Sequence, residues 1–171
     1  MTARDLALFY DYGYWVNRKL FPVLLQLTPE QFTQPVGGSY GSVRNTLVHT
    51  LSAEWGWLDR CGGQPRGAAL KADDYPTPQT LIDQWTRVEG HVREFLASLT
   101  DADLDRTIEF TLPGITPRAM ALGELMHHGM NHAVHHRGQA ALLLRMLGVA
   151  PGNFDILFYY AERRSEVVAH S

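Results

Sequence analysis

Along much of this chain, apolar and small residues recur at alternating spacings of three and four, which places them on one face of an α-helix. From about Ala3 to Leu27, this stripe consists of Leu6, Tyr10, Gly13, Asn17, Leu20, Leu24 and Leu27. From about Ala121 to Leu147, a second stripe consists of Leu125, Gly129, His132, His136, Gln139 and Leu143. Both segments are therefore predicted to be long helices with one buried face.

Capping residues delimit two further long helices between these segments. One is predicted to begin at the N-cap Ser42 and to end at Cys61, where two consecutive glycines supply a left-handed C-terminal conformation. The other is predicted to begin at Thr77-Pro78 and to reach Leu99. Four long helices without an internal repeat predict an all-α fold, a four-helix bundle.

Shorter patterns predict the remaining elements. Thr28-Pro29-Glu30-Gln31 has the spacing of a capping box and predicts a short helical turn. The segment 106–112 alternates polar and apolar residues before Pro113-Gly114, which indicates a short β-ribbon ahead of the fourth long helix. A short C-terminal helix is predicted over 155–163, and the segment 62–76 is interpreted as a crossover loop.

Composition limits the function classes. With 171 residues, of which 45% are hydrophobic and 19% charged, the chain is expected to form a single domain over residues 1–171. The chain has 15 Lys and Arg residues and 18 Asp and Glu residues, and neither charge is concentrated in one segment. We therefore expect no nucleic-acid partner. No apolar run is long enough to span a bilayer, so we expect no membrane contact. A single cysteine and the absence of a signal-peptide pattern predict a cytoplasmic protein.

Histidine is the residue type that indicates chemistry. Five of the eight histidines lie within ten residues, namely His127, His128, His132, His135 and His136. The stripe of the fourth long helix turns His132 and His136 inward, one helical turn apart. Since a buried polar group without a partner costs about 1–3 kcal/mol, a shared metal ion would satisfy both imidazoles.

A third ligand is expected from another helix, and His49 of the second long helix is the candidate. Its helix face carries the small or polar residues Asn45, Ser52, Ala53 and Gly56, which leave room for a site. Alternatives remain open at this point, because His128 also pairs with His132 at a spacing of four. His127, His128 and His135 could equally form a solvated cluster, and spacing alone does not choose between these sets.

Several segments resemble the DinB family of small bacterial four-helix proteins. The signature Asn-His-x-x-x-His-Arg-Gly-Gln is matched by residues 131–139, and its Leu-Gly-Glu-Leu start by residues 122–125. The likeness continues in the segments 14–20, 42–49, 147–151 and 155–157, and it covers about residues 3 to 162.

The resemblance implies a metal triad of one histidine in the second long helix and the two of the His-x-x-x-His pair. These map onto His49, His132 and His136, the same three residues that the stripes select. It also implies a bundle of unusual connectivity and a homodimer. Characterised relatives in the wider superfamily use low-molecular-weight thiols, in bacillithiol transfer and mycothiol-dependent isomerisation.

Three neutral imidazoles leave a divalent ion its full charge and at least one open position, as in catalytic sites. Zinc or nickel suits such a site better than magnesium or calcium, which prefer oxygen ligands. The resemblance to the DinB family implies, as the first functional hypothesis, a metal-dependent transferase that activates a low-molecular-weight thiol. The alternatives are a metal-dependent hydrolase that uses metal-bound water and a stress-associated metal-binding protein without catalysis. No general base or other catalytic residue is predicted.

The homodimer has a second argument in the sequence. Leu47, Leu51 and Leu58 lie almost opposite His49 on the second long helix, which then needs burial on two faces. Sharing the leucine face across a two-fold axis would bury it, so this helix is expected near the axis of a dimer.

Overall fold

A computed structural model of the chain describes residues 1–65, 67–112 and 114–169. The helices are α1 (Ala3–Leu24), α2 (Pro29–Thr33), α3 (Val43–Cys61), α4 (Pro78–Ser98), α5 (Leu122–Met146) and α6 (Ile156–Ala169). The strands β1 (Thr107–Leu112) and β2 (Ile115–Ala121) form one antiparallel pair, and 3₁₀ turns occupy Ala72–Asp74 and Asp101–Asp105. The all-α bundle with a small ribbon and a C-terminal helix is confirmed.

Side-chain caps mark the starts of α1, α2, α3 and α4. The hydroxyl of Ser42 accepts from the backbone N–H of Asn45 at 3.1 Å, and α3 starts where the sequence predicts. The first helix ends at Leu24, three residues before the predicted end at Leu27. Thr28 acts as the N-cap of α2 in extended conformation, so the chain must leave the helix before it reaches this residue.

The core lies between the four long helices. The most extensive helix–helix contact joins α3 to α5, and α1 packs against both α4 and α5. Every residue of the stripe predicted for α1 is buried, and Trp85 of α4 is fully buried. The contact between α3 and α5 matters most for function, because these two helices carry the histidines singled out by the sequence.

The β-ribbon connects the bundle to the start of α5. Strand β1 confirms the ribbon predicted from the alternation of 106–112, whereas its partner β2 was not predicted, because its sequence alternates poorly and contains a proline. The backbone N–H of Leu122 donates to the carbonyl of Arg106 at 2.9 Å, which joins the base of the ribbon to the first residue of α5. Pro113, in the predicted turn, lies outside the described residues.

The leucine face of α3 is covered by the chain itself. Leu47 and Leu51 are fully buried and Leu58 is half-buried, because α3 packs against α4 as well as α5. The argument that this face needs a second subunit is therefore wrong. The homodimer remains a prediction from the family resemblance alone.

Helix α6 extends past the predicted segment 155–163. It is anchored by Tyr159, which is buried with its ring 5.8 Å from those of Tyr12 and Trp15 on α1. Phe158 and Tyr160 are partly exposed. None of the helices in the described part of the chain, α6 included, is long and apolar enough to cross a bilayer.

Candidate metal centre

Three histidines converge in the groove between α3 and α5. The Nε2 atom of His132 lies 3.2 Å from that of His49 and 3.0 Å from that of His136. One ring nitrogen from each of the three residues lies within 4.8 Å of the others. His136 is buried and the other two are half-buried, so the cluster sits at the edge of the core.

The spacing of these nitrogens fits a divalent ion. Imidazole nitrogens bound at about 2.1 Å to one tetrahedral ion lie about 3.4 Å apart, close to the two distances observed here. Neutral imidazoles offer lone pairs that repel one another unless a proton or a metal lies between them. The donor set is therefore compact enough to hold a metal through its imidazole groups.

Burial favours the neutral form of the His132 and His136 rings. Burial, together with the neighbouring His136 and His49, lowers the pKa of His132 from 6.5 to about 4. Burial also lowers the pKa of His136, although its hydrogen bond to Gln139 opposes the change. Since only a neutral imidazole binds a metal, the cluster is prepared for an ion at neutral pH.

Gln139 determines which nitrogen of His136 is available. Its Oε1 lies 2.7 Å from Nδ1 of His136, and an amide oxygen can only accept, so Nδ1 carries the proton. Nε2 then faces His132 with a free lone pair. The amide nitrogen of Gln139 is held in turn by Nε2 of His135 at 3.0 Å and by the hydroxyl of Ser39 at 3.4 Å. This arrangement is the usual outer support of a metal-binding histidine.

Among the described residues, His127, His128 and His135 of α5 do not belong to the group of three whose ring nitrogens lie within 4.8 Å of one another. The exposed His128 packs its ring 5.1 Å from Trp57 and 5.9 Å from His132, whereas the rings of His49 and His136 lie 5.1 Å and 4.3 Å from that of His132. The exposed His127 stacks near Phe9 at 5.9 Å. The structure thus distinguishes between groups of histidines that spacing along the helix left equivalent.

Among the described residues, no carboxylate or thiolate joins the three histidines. The cysteine, Cys61, is buried, and burial raises its pKa to about 11. It lies twelve residues along α3 from His49, or about 18 Å. Cys61 is therefore a small core residue, and the cluster consists of imidazoles alone.

Comparison with known proteins agrees with this architecture. The model of the DinB family matches residues 1–166, almost the whole chain. The chain belongs to the DinB family. Two relatives from Bacillus subtilis (strain 168) are 24% identical to it: Protein DinB over 162 residues, and the uncharacterised protein YizA over 143 residues. These alignments cover 92% of this chain and 94% of Protein DinB, and 84% of this chain and 88% of YizA.

Solved structures share the DinB fold. A DinB-like protein from Bacillus cereus ATCC 10987 superimposes with a TM-score of 0.72 at 23% identity, covering 89% of this chain and 97% of its own. A crystal structure described as a putative DinB family member from Exiguobacterium sibiricum gives a TM-score of 0.57 at 20% identity, with coverages of 85% and 91%. At this level of identity the likeness supports the fold.

Beside the histidines, this DinB protein contains a buried ionic network that the sequence analysis missed. Glu54 of α3 accepts from the hydroxyl of Tyr14 at 2.8 Å and from the indole N–H of Trp85 at 3.3 Å. The guanidinium of Arg137 lies 3.9 Å from Glu54 and donates to Oδ1 of Asn17 at 3.0 Å. Burial raises the pKa of Glu54, and the charge of Arg137 opposes that shift. One carboxylate thus links α3 to α1, α4 and α5.

A signal for this network was present in the pattern. Glu54 falls within the leucine stripe of α3, whose other members are Leu47, Leu51 and Leu58. Arg137 falls within an apolar stripe of α5 formed by Met126, Met130, Ala133, Ala140 and Leu144. A charged residue in an apolar stripe is buried with a partner or it disrupts the core, so the two charges could have been matched.

We expect the metal-free protein to lose stability in acid over a range that His132 helps to determine. Its pKa is about 4 in the folded chain and about 6.5 when unfolded, so the unfolded chain binds the proton more tightly. The stability from the neutral ring is therefore present above about pH 6.5 and decreases as the pH falls toward about 4. Urea unfolding across this range should show a smaller decrease for His132→Asn than for the wild type. If wild type and His132→Asn lost stability equally over this pH range, the lowered pKa of His132 would not contribute to the acid sensitivity.

Proposed function

We propose that this protein binds a divalent transition metal, zinc or nickel, through His49, His132 and His136, and uses it to activate a low-molecular-weight thiol for transfer. The observation that carries the proposal is the convergence of three imidazole nitrogens, two pairs of which lie 3.0 Å and 3.2 Å apart. All-imidazole sites suit zinc and nickel, and three protein ligands are typical of catalytic sites.

The chain's own residues prepare the site for a metal ion. His132 is neutral at physiological pH because burial and its histidine neighbours lower its pKa. Gln139 holds the proton of His136 on Nδ1 and leaves Nε2 to bind. A bound divalent ion would supply the positive charge that stabilises a thiolate at neutral pH.

A thiol is a better candidate than water, because the described cluster lacks a carboxylate to act as general base. The thiol must come from a small molecule, since Cys61 is buried, has a raised pKa and lies about 18 Å along α3 from His49. In the transfer, the sulfur forms a bond to an electrophilic carbon and the bond from that carbon to its leaving group breaks. The leaving group takes the proton that the thiol lost.

The test uses the cobalt-substituted protein and a matched pair of small molecules. N-acetylcysteine should add a sulfur-to-cobalt charge-transfer band to the spectrum, whereas N-acetylserine, which has oxygen in place of sulfur, should add none. The band should disappear in His132→Ala and remain in His128→Ala, because the ring of His128 lies outside the cluster.

The outcomes separate the parts of the proposal. Cobalt binding without a thiol band would overturn thiol activation and leave a metal-binding protein. Failure to bind cobalt, zinc or nickel at all would overturn both parts. Turnover of an alkylating electrophile with N-acetylcysteine, absent in His132→Ala, would support the transferase.

A further inference from the structure

The loop before α3 brings an aromatic ring against two of the three clustered histidines. Tyr40 stacks on His49, with ring centres 4.2 Å apart and planes inclined by 21°. The same ring meets His136 edge-on, with centres 5.4 Å apart and planes inclined by 72°. Tyr40 is half-buried, so one face of the cluster lies beneath its ring.

The loop is built to hold this position. Its turns require the left-handed backbone of Gly37 and Gly41, at φ angles of 107° and 81°, and the backbone N–H of Val36 closes the loop on the carbonyl of Gly41 at 2.8 Å. The side chain of Asn45 donates to the carbonyl of Tyr40 at 3.1 Å. Since Asn45 lies one turn before His49 on α3, the helix face that presents the imidazole also fixes the loop above it.

We propose that Tyr40 is a positioning residue of the metal centre: its ring fixes the plane of the His49 imidazole and closes one side of the centre to exogenous ligands. This inference rests on the proposed metal-binding function. His136 already has a hydrogen bond that orients it, through Gln139. Tyr40 gives His49 an orienting contact of a different kind, through stacking.

Two consequences follow for a bound ion. A stacked ring limits rotation of the imidazole, which keeps its nitrogen directed at His132, 3.2 Å away. The ring also occupies space from which solvent or a second ligand would approach. The centre is therefore left with access from the side away from Tyr40, and it accepts fewer exogenous ligands.

The test compares Tyr40→Phe, which keeps the ring, with Tyr40→Leu, which removes it. Zinc affinity, measured by competition with a chromophoric chelator, should stay within about twofold for Tyr40→Phe and fall roughly tenfold for Tyr40→Leu, the scale of losses at outer supports of metal ligands. The visible spectrum of cobalt-loaded Tyr40→Leu should weaken, because an added solvent ligand raises the coordination number. Tyr160→Leu, a partly exposed tyrosine on α6, is the matched control and should change neither.

A second measurement needs no metal. In the metal-free protein, the Tyr40 ring should shift the NMR signals of the His49 ring protons, and Tyr40→Leu should abolish that shift while Tyr40→Phe preserves it. Circular dichroism of each variant establishes that it is folded.

The outcomes are distinct. If wild-type protein binds no ion, the proposed function fails. If it binds zinc and folded Tyr40→Leu shows wild-type affinity and spectrum, the positioning role of Tyr40 is overturned while the metal site stands. Loss of affinity in Tyr40→Phe as large as in Tyr40→Leu would overturn the stacking argument in favour of the hydroxyl.

Discussion

Replacing His132 with alanine is expected to abolish stoichiometric zinc or nickel binding. His132 is the central member of the cluster, because its Nε2 lies 3.2 Å from that of His49 and 3.0 Å from that of His136. Removing only an outer support of a metal ligand typically costs 10–100-fold in affinity, so losing this ligand should cost more than about a hundredfold. Isothermal titration calorimetry and metal content after dialysis against a weak chelator would measure the change.

His128→Ala is the informative control for this loss. His128 lies one turn before His132 on α5, and the sequence offered the two as an equivalent pair, but its exposed ring lies 5.9 Å from that of His132. We expect His128→Ala to keep one ion per chain at wild-type affinity. If His132→Ala retained the ion, or His128→Ala lost it, the assignment of the ligands would be wrong.

Replacing Glu54 with alanine is expected to destabilise the metal-free protein by about 3–5 kcal/mol, the usual cost of breaking a buried ion pair. Glu54 and Arg137 are only 5% and 3% exposed, so neither charge can turn to solvent when its partner is removed. The change also leaves the hydroxyl of Tyr14 and the indole N–H of Trp85 without their acceptor. Urea-induced unfolding followed by circular dichroism would measure the loss.

A surface carboxylate and a double variant control this experiment. Glu94→Ala, at an exposed position of α4, should change stability by no more than about 0.5 kcal/mol. The double variant Glu54→Leu with Arg137→Met should recover only part of the loss, because it removes the unpaired buried charge of Arg137 but leaves Tyr14 and Trp85 without their acceptor. A Glu54→Ala variant as stable as Glu94→Ala would mean that the network contributes nothing.

Local sequence patterns accounted for much of the fold. Ser42 and Thr77 cap helices in both sequence and structure, since a cap depends on a side chain and the backbone three residues away. The pattern was less informative for β2, which forms only because β1 lies beside it. The leucines of α3 also show the limit of periodicity. It identified an apolar face but not the helices that cover it within the same chain.

The sequence by itself determined the helices, the inward direction of His132 and His136 on α5, and His49 as the candidate from a second helix. Those conclusions depend on spacing along one helix, which the 3.6-residue repeat converts directly into geometry. Only the tertiary structure brought the Nε2 of His49 to within 3.2 Å of that of His132, which is 83 positions away, and left His128 outside the cluster. It also paired Glu54 with Arg137 and placed the ring of Tyr40 over His49. These contacts depend on how helices cross and where a glycine-rich loop returns, and long-range packing of the whole bundle decides both.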